Sequence, residues 1–378
     1  MLVLTVCQLA APSVSAASER ASGSSRGTRS EQLGSRVARV WPHRSRASTQ
    51  RLVAAGLLEL IQNVPAVDSG RASYNTVDNL GEQMGVLDPI PDPAGGYVGV
   101  YHSPFGRRPG ATARDFRISI AHSNDLIHWT RVQVLDPVGA TMPTLRAIPG
   151  NKGYLLAYEK ASAHDGDHIR VRYYRGLADV LANDVGAQVD LARLFSPNSN
   201  GTPSLTSISW HGSLEQSVIG IDFHYETVTR KGAGPDREAI GTLIGFRSWA
   251  ATKDPNTDAL LDSQRLTGNH GDSRQFRFAN DLWRLYEGQE RFDNFETWHV
   301  VLYDTETRTM HLLTMTTELG ASETSFGNPV AQLEPAPDGS GQVLVVTMYI
   351  FNSASNSNES GELVYYQPTQ SPYAPPYM

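Results

Sequence analysis

Ile118-Ser119-Ile120-Ala121-His122-Ser123-Asn124-Asp125-Leu126-Ile127-His128-Trp129 is the stretch whose reading decides the fold. Arg117 to Ala121 alternates as a strand, and His122 to Asp125 is a polar turn. Ser, Asn and Asp suit such a turn because their short side chains bond the local backbone. An aromatic, Trp129, opens the return strand and is placed to pack on the hairpin. Local physics alone gives one hairpin.

Working outward, the same texture recurs. Short β runs are cut by Gly, Pro, Asn and Asp from about Pro65 to Gln367, with few helical periods. Five units share one order: a Pro- or Gly-containing polar start, a short strand, a turn, and a strongly apolar strand ending in aromatic and polar residues. They start at Leu87-Asp88-Pro89, Met142-Pro143-Thr144, Gly201-Thr202-Pro203, Gly268-Asn269-His270 and Gly327-Asn328-Pro329. Their apolar strands run through Tyr97–His102, Tyr154–Glu159, Val218–Glu226, Leu282–Glu287 and Val343–Asn352. The starts are roughly 60 residues apart, room for four strands of ~6 residues with loops. Five such repeats predict an all-β, five-bladed β-propeller of four-stranded antiparallel blades. Outer strand pairs are visible at Phe116–Ala121 with Thr130–Leu135, and at Thr297–Tyr303 with Thr309–Thr316. The fifth unit has too few residues after Glu362–Tyr366, so a segment near Tyr74–Val86 is expected to close the ring. A jelly-roll sandwich is the alternative fold, and it would scatter the five starts.

The pattern Ser123-x-Asp125-Leu126-x-His128-Trp129 resembles the first-blade hairpin of five-bladed propeller glycosidases. These are the arabinanases, xylosidases and fructosidases of glycoside hydrolase families 43, 32 and relatives. Sialidase Asp boxes, with Gly between Asp and Trp and wider spacing, fit less well. The resemblance implies that Asp125 is structural and marks a blade. It also implies that Asp88, in its Asp-Pro context on the first innermost strand, matches the family's first catalytic Asp. The family's second-blade Asp has no match, because Pro143-Thr144-Leu145-Arg146 stands there. Its third-blade Glu has none either, because Thr202-Pro203 occupies that start.

Composition bounds the rest. The chain has 378 residues and net charge −7, which argues against nucleic acid as the main partner. One cysteine, Cys7, excludes an intramolecular disulfide and leaves no core thiol for catalysis. Residues 1–17 read as a signal-peptide-like segment. The apolar run Leu2–Ala11 leads to Val14-Ser15-Ala16, the small-residue form of a cleavage site, though without a basic start. A secreted, extracellular protein is therefore expected. Residues 18–64 are Ser/Arg-rich and read as a disordered leader, with a short helix allowed over Leu52–Gln62. The propeller is assigned to 65–367 and a flexible Pro/Tyr tail to 368–378. No later segment has the ~20 apolar residues of a membrane span.

In a propeller, blade starts and the ends of the second strands converge on one funnel. Glycoside hydrolysis needs two carboxyl groups across the scissile bond, one of them holding a proton near neutral pH. Asp88 is the candidate base or nucleophile and Glu287 the candidate acid, with Asp272 and Glu159 in support. His102, Arg146, Thr202, His224, Arg274 and Tyr286 are the candidate substrate-binding residues. No metal site is expected, since His211, His224 and His270 lack tight ligand spacing. No cofactor is expected either, and a structural calcium is left open. His164-Asp165-Gly166-Asp167-His168 reads as a solvated turn. Gly-x-Ser-x-Gly does not occur within 65–367, its one match being Gly23–Gly27 in the Ser/Arg-rich leader, and Gly-Lys-Ser/Thr does not occur, which argues against an α/β-hydrolase elbow and a phosphate loop. The protein is read as a monomer that takes a carbohydrate substrate or glycan ligand. Two functions stand: a glycoside hydrolase acting by paired carboxylates, and a non-catalytic lectin-like propeller. Acids in an open pocket favour the first; acids locked in salt bridges favour the second.

Overall fold

The computed structural model describes residues 46–104, 115–162, 166–230, 232–317, 325–351 and 359–369. Cys7, the signal-like segment, His164, Asp165 and Asn352 lie outside them.

Strands β1 to β20 form five four-stranded antiparallel sheets. β1 is Ala72–Ser73. Blade one is β2 (Gly85–Pro91), β3 (Tyr97–Pro104), β4 (Phe116–Ser123) and β5 (Thr130–Asp136). Blade two is β6 (Ala140–Ala147), β7 (Tyr154–Lys160), β8 (His168–Tyr174) and β9 (Ala187–Asp190). Blade three is β10 (Asn200–Ser209), β11 (Val218–Thr229), β12 (Gly232–Ile244) and β13 (Ser248–Lys253). Blade four is β14 (His270–Phe278), β15 (Asp281–Gln289), β16 (Trp298–Asp304) and β17 (Thr309–Leu312). Blade five is β18 (Phe326–Pro335), β19 (Gln342–Ile350) and β20 (Gly361–Pro368), completed by β1, which pairs Ala72 with Tyr365 and Ser73 with Val364. The expected five-bladed propeller is what the chain forms. The closing strand lies just upstream of the segment anticipated for it. This closure ties an early segment to the last blade and leaves no open sheet between the first and the fifth.

Hydrophobic cores lie between neighbouring blades. Val98, Ile118 and Leu135 of blade one meet Leu145, Leu156 and Tyr158 of blade two. Leu155 and Val171 meet Ile219 and Phe223 across the next seam. Each blade thus covers its neighbour's apolar face, which an isolated four-stranded sheet could not do.

The decisive hairpin is built as its sequence suggests. Ser123 Oγ accepts from the amide of Leu126 at 2.8 Å, and Asp125 Oδ1 accepts from those of Ile127 and His128 at 2.9 and 2.8 Å. These bonds use up the carboxylate, which makes Asp125 a turn former. Trp129 is buried, and its indole N–H donates to the Leu126 carbonyl at 3.1 Å. Gly99 faces the indole: a Cβ there would come within 2.6 Å of Leu87 and 3.0 Å of Trp129, so the approach requires glycine.

The assignment of 18–64 to a disordered leader is corrected at its end. Helix α1 spans Arg46–Gln62, beyond the short helix allowed from Leu52. It buries Ala54, Leu57 and Ile61 in one cluster with Val300, Leu302, Leu344 and Tyr365 of blades four and five. Gln50 donates to Asp304 at 3.1 Å, Gln367 donates to the Leu60 carbonyl at 2.8 Å, and Tyr365 donates to that of Ile61. The apolar face is too short to dominate a basic stretch, but it has a seam between blades to fill. Leu57→Ala is expected to cost about 2–5 kcal/mol through lost burial and a residual cavity. Denaturant unfolding reads this; an unchanged midpoint would mean that the helix does not belong to the core.

Candidate functional site

Each innermost strand carries a bulge at the same place. Two residues oppose one: Val86 and Leu87 against Tyr101, Met142 and Pro143 against Tyr158, Thr202 and Pro203 against Phe223, Gly271 and Asp272 against Glu287, Asn328 and Pro329 against Met348. Bulges bend a strand and turn backbone groups out of its ladder. In four blades the first bulge residue has positive φ: Val86 at 54°, Met142 at 51°, Thr202 at 42° and Asn328 at 50°. For β-branched Val86 and Thr202 this region is strained, and strain of this kind persists only when the surroundings hold it.

The holding groups are candidate catalytic or binding side chains in four of the five blades, and Glu362 in the fifth. His102 Nδ1 of blade one accepts from the Met142 amide of blade two at 3.2 Å. Glu159 of blade two accepts from the Thr202 amide of blade three at 3.4 Å. His224 of blade three hydrogen-bonds the backbone of Gly271 in blade four. Glu287 of blade four accepts from Asn328 N of blade five, and its other oxygen accepts from Asp272 N at 2.8 Å. Glu362 of blade five accepts from Val86 N and Leu87 N of blade one, both at 3.0 Å. The ring of blades is thus also a ring of side chain to bulge bonds.

The remaining candidates are paired. Asp88 is fully buried; it accepts from Thr144 Oγ1 at 2.8 Å, Leu145 N at 3.1 Å and Arg146 Nη1 at 2.8 and 2.9 Å. Asp272 is fully buried against Arg274 at 2.5 Å, and Arg274 Nη1 also donates to the Pro203 carbonyl at 3.2 Å. Thr202 Oγ1 bonds His224 Nδ1. Tyr286, expected at the mouth, instead lies in a core cluster with Leu261, Leu266 and Val301, because its face of β15 points between blades.

Burial dominates the electrostatics. It pushes the Asp272 carboxyl up to about 7, opposed by Arg274 and reinforced by Asp88. It pushes Glu287 up to about 8, with Asp272 adding to the effect and the two amides opposing it. Burial also raises Glu159 to about 8, helped by the neighbouring Asp167 carboxyl, and Glu362 to about 8 against its two amides. It lowers His102 to about 4, so that imidazole is neutral at pH 7. The structure therefore brings Asp88, Arg146, Asp272, Arg274 and Glu287 into one electrostatic neighbourhood. Glu159, Thr202 and His224 form a second group at the seam of blades two and three.

Among the described residues, one cavity has none of those acids in its lining. A cavity of about 910 Å³ is lined by Asn75, Gln83, His102 and Asn328, and by the rings of Phe116, Phe295, Tyr349 and Phe351. Glu82 is the carboxylate among its described lining residues, and it is clamped by Arg117 and by Arg131 Nη1, the latter at 2.6 Å. Asp88, Asp272, Glu287 and Glu159 do not line it. Of the sequence candidates only His102 does. Glu362 and the cavity's amides and rings were missed by sequence reasoning. Glu362 sits on a third strand, outside the two strand ends that define the funnel, whereas Asn328 was in view as part of a blade start. Among the described residues no group of three or more His, Cys, Asp or Glu is arranged to hold a metal ion, and no helix is long and apolar enough to cross a membrane.

No protein-family model and no curated protein matches the chain. Among solved structures, a thermostable family-43 glycoside hydrolase is similar at 9% identity, over 78% of this chain and 91% of that one, with TM-score 0.46. A family 117 glycoside hydrolase from Zobellia galactanivorans is similar at 15%, over 78% and 89%, with TM-score 0.44. An endo-arabinase from Bacteroides thetaiotaomicron is similar at 10%, over 78% and 96%, with TM-score 0.45. Likeness at this level says nothing of activity.

Removing one partner of a buried ion pair leaves the other charge uncompensated. Asp88→Asn is therefore expected to destabilise the fold by about 3 kcal/mol, and Asp88→Asn with Arg146→Gln by less than the sum of the two single changes. Denaturant unfolding of the four proteins measures this. A fully stable Asp88→Asn protein would contradict the structural role.

Proposed function

We propose that the protein binds carbohydrate at the mouth of its funnel and does not hydrolyse it. The supporting observation is the division of labour among polar groups. The buried acids are engaged with backbone amides and arginines, while the open cavity presents amides, an imidazole and aromatic rings. Sugars offer hydroxyls at their edges, which amides and imidazole can bond, and C–H faces that pack on rings. A site with apolar walls and a few placed polar groups is the usual form of a small-molecule site.

One observation favours hydrolysis as a second reading. Asp272 Oδ2 and Arg274 Nε and Nη2 have no hydrogen-bond partner, and Glu287 beside them keeps its proton near neutral pH. A protonated carboxyl next to a second carboxyl is what a general acid requires.

Calorimetric titration with a glycan panel, run beside an assay for released reducing ends, separates the two. Saturable binding without product is expected. Asn328→Gly should weaken it at least tenfold without lowering stability, since glycine accepts the same positive φ. Product formation that Asp272→Asn abolishes would establish the second reading, and binding to no glycan would overturn the first.

A further inference from the structure

One edge of a buried guanidinium stands without partners. Arg274 lies on β14, the innermost strand of blade four, and is 1% exposed. Its hydrogen bonds all fall on one nitrogen. Nη1 donates to Asp272 Oδ1, to the Pro203 carbonyl at 3.2 Å and to the Ser273 carbonyl at 3.1 Å. Nε and Nη2 have no hydrogen-bond partner among the described residues. These two nitrogens share an edge of the planar group, and their N–H bonds point the same way. That edge is the fork that takes an anion by two parallel bonds. A buried donor left unsatisfied is costly, and a guanidinium does not lose its proton to escape the cost.

The charges around this edge leave it short of a counter-charge. Asp88 accepts from Thr144, Leu145 N and Arg146, so Arg146 answers its charge. Glu334, which faces Asp88 and Arg146, is pushed up to about 8 by burial. Asp272 is fully buried, and burial pushes its carboxyl up to about 7 against the pull of Arg274, with Asp88 reinforcing the rise and Arg146 opposing it. Glu287 and Glu362 also feel the Asp272 charge, and burial pushes both up to about 8. Whenever Asp272 takes a proton, Arg274 therefore keeps a positive charge that no ionised partner in contact with it balances. A water molecule would satisfy the free N–H groups and leave that charge. An anion answers both.

We propose that the Nε–Nη2 edge of Arg274 binds a small monovalent anion, with chloride as the type case. Burial sets the size and charge of the ligand. It must give up its water to reach residues that are 1% and 0% exposed, and that cost rises steeply with charge, which disfavours a dianion such as sulfate. The site is separate from the cavity described above, since neither Arg274 nor Asp272 lines it. Arg274 bonds Pro203 of blade three from blade four, so the anion fixes a side chain that spans a seam. Its effect is a halide-dependent stability of the ring.

Thermal unfolding of the full chain, followed while sodium chloride or sodium bromide replaces sodium isethionate at constant ionic strength, tests this. The midpoint is expected to rise and then saturate, as for a ligand that binds only the folded state. Sodium sulfate should not reproduce the rise. Arg274→Lys, which keeps the charge without the fork, should abolish the saturable part. Anomalous scattering from bromide in wild-type crystals reads the site even if that variant does not fold, and a peak in contact with Nε and Nη2 is expected. Affinity should strengthen by about tenfold from pH 8 to pH 6, because Asp272, with its carboxyl at about 7, takes up a proton as the anion binds. Asp272→Asn should flatten that profile. A rise that never saturates, a rise that sulfate matches, or bromide found only away from Arg274 would overturn the proposal. A pH profile unchanged in Asp272→Asn would overturn the part given to Asp272. None of these outcomes bears on glycan binding.

Discussion

A buried polar side chain reaching from one blade to an out-turned backbone group of the next is the contact on which this propeller depends. A bulge in every innermost strand frees amides from the ladder at the funnel. An amide buried without a partner costs about 1–3 kcal/mol. His102, Glu159, Glu287 and Glu362 remove that cost, and each does so across a seam between blades. The bonds are directional, whereas the apolar packing between blades is not. They therefore fix the register of one sheet against the next and hold the positive φ of Val86, Met142, Thr202 and Asn328.

This arrangement changes the meaning of acids gathered at a funnel. Convergence follows from the fold, since equivalent strand ends meet at one axis. Chemistry would need some of those carboxylates to be free, and most are occupied. Asp88 is saturated by three residues of blade two. Glu287 holds two bulges at once. Asp272, Arg274, Glu238 and Glu334 keep unpartnered atoms, and all four are buried. Raised pKa values at such positions reflect burial first, and burial serves closure as readily as catalysis. Among the described residues, the lining of the cavity is instead mainly aromatic and amide side chains.

The fold was legible because its signals are local and repeated. The Ser123-x-Asp125 turn carries its own hydrogen bonds, and five similar strand pairs declare themselves by composition. The site was less legible, for identifiable reasons. Glu287 follows a tyrosine, as Glu159 does, so the two seem equivalent in sequence. Pairing shows Glu287 opposite its bulge, where Tyr101 and Tyr158 stand in blades one and two, because β15 is offset by one residue. A one-residue offset reverses the face a side chain points to. The cavity draws Asn75 and Gln83 from the segment before blade one, and Asn328 and Tyr349 from blade five. Only ring closure brings these together, and no spacing in the chain announces it. Helix α1 was hidden for a similar reason, its few apolar residues gaining meaning only from the seam they fill.

Glu362 gives the most direct test, since it was never a candidate for chemistry and joins the last blade to the first through two amides. The unfolding free energy of Glu362→Ala, measured in denaturant beside wild type, is predicted to fall by about 3 kcal/mol, the cost of leaving two buried donors unsatisfied. An unfolding curve that coincides with that of wild type would contradict the claim that these contacts close the ring.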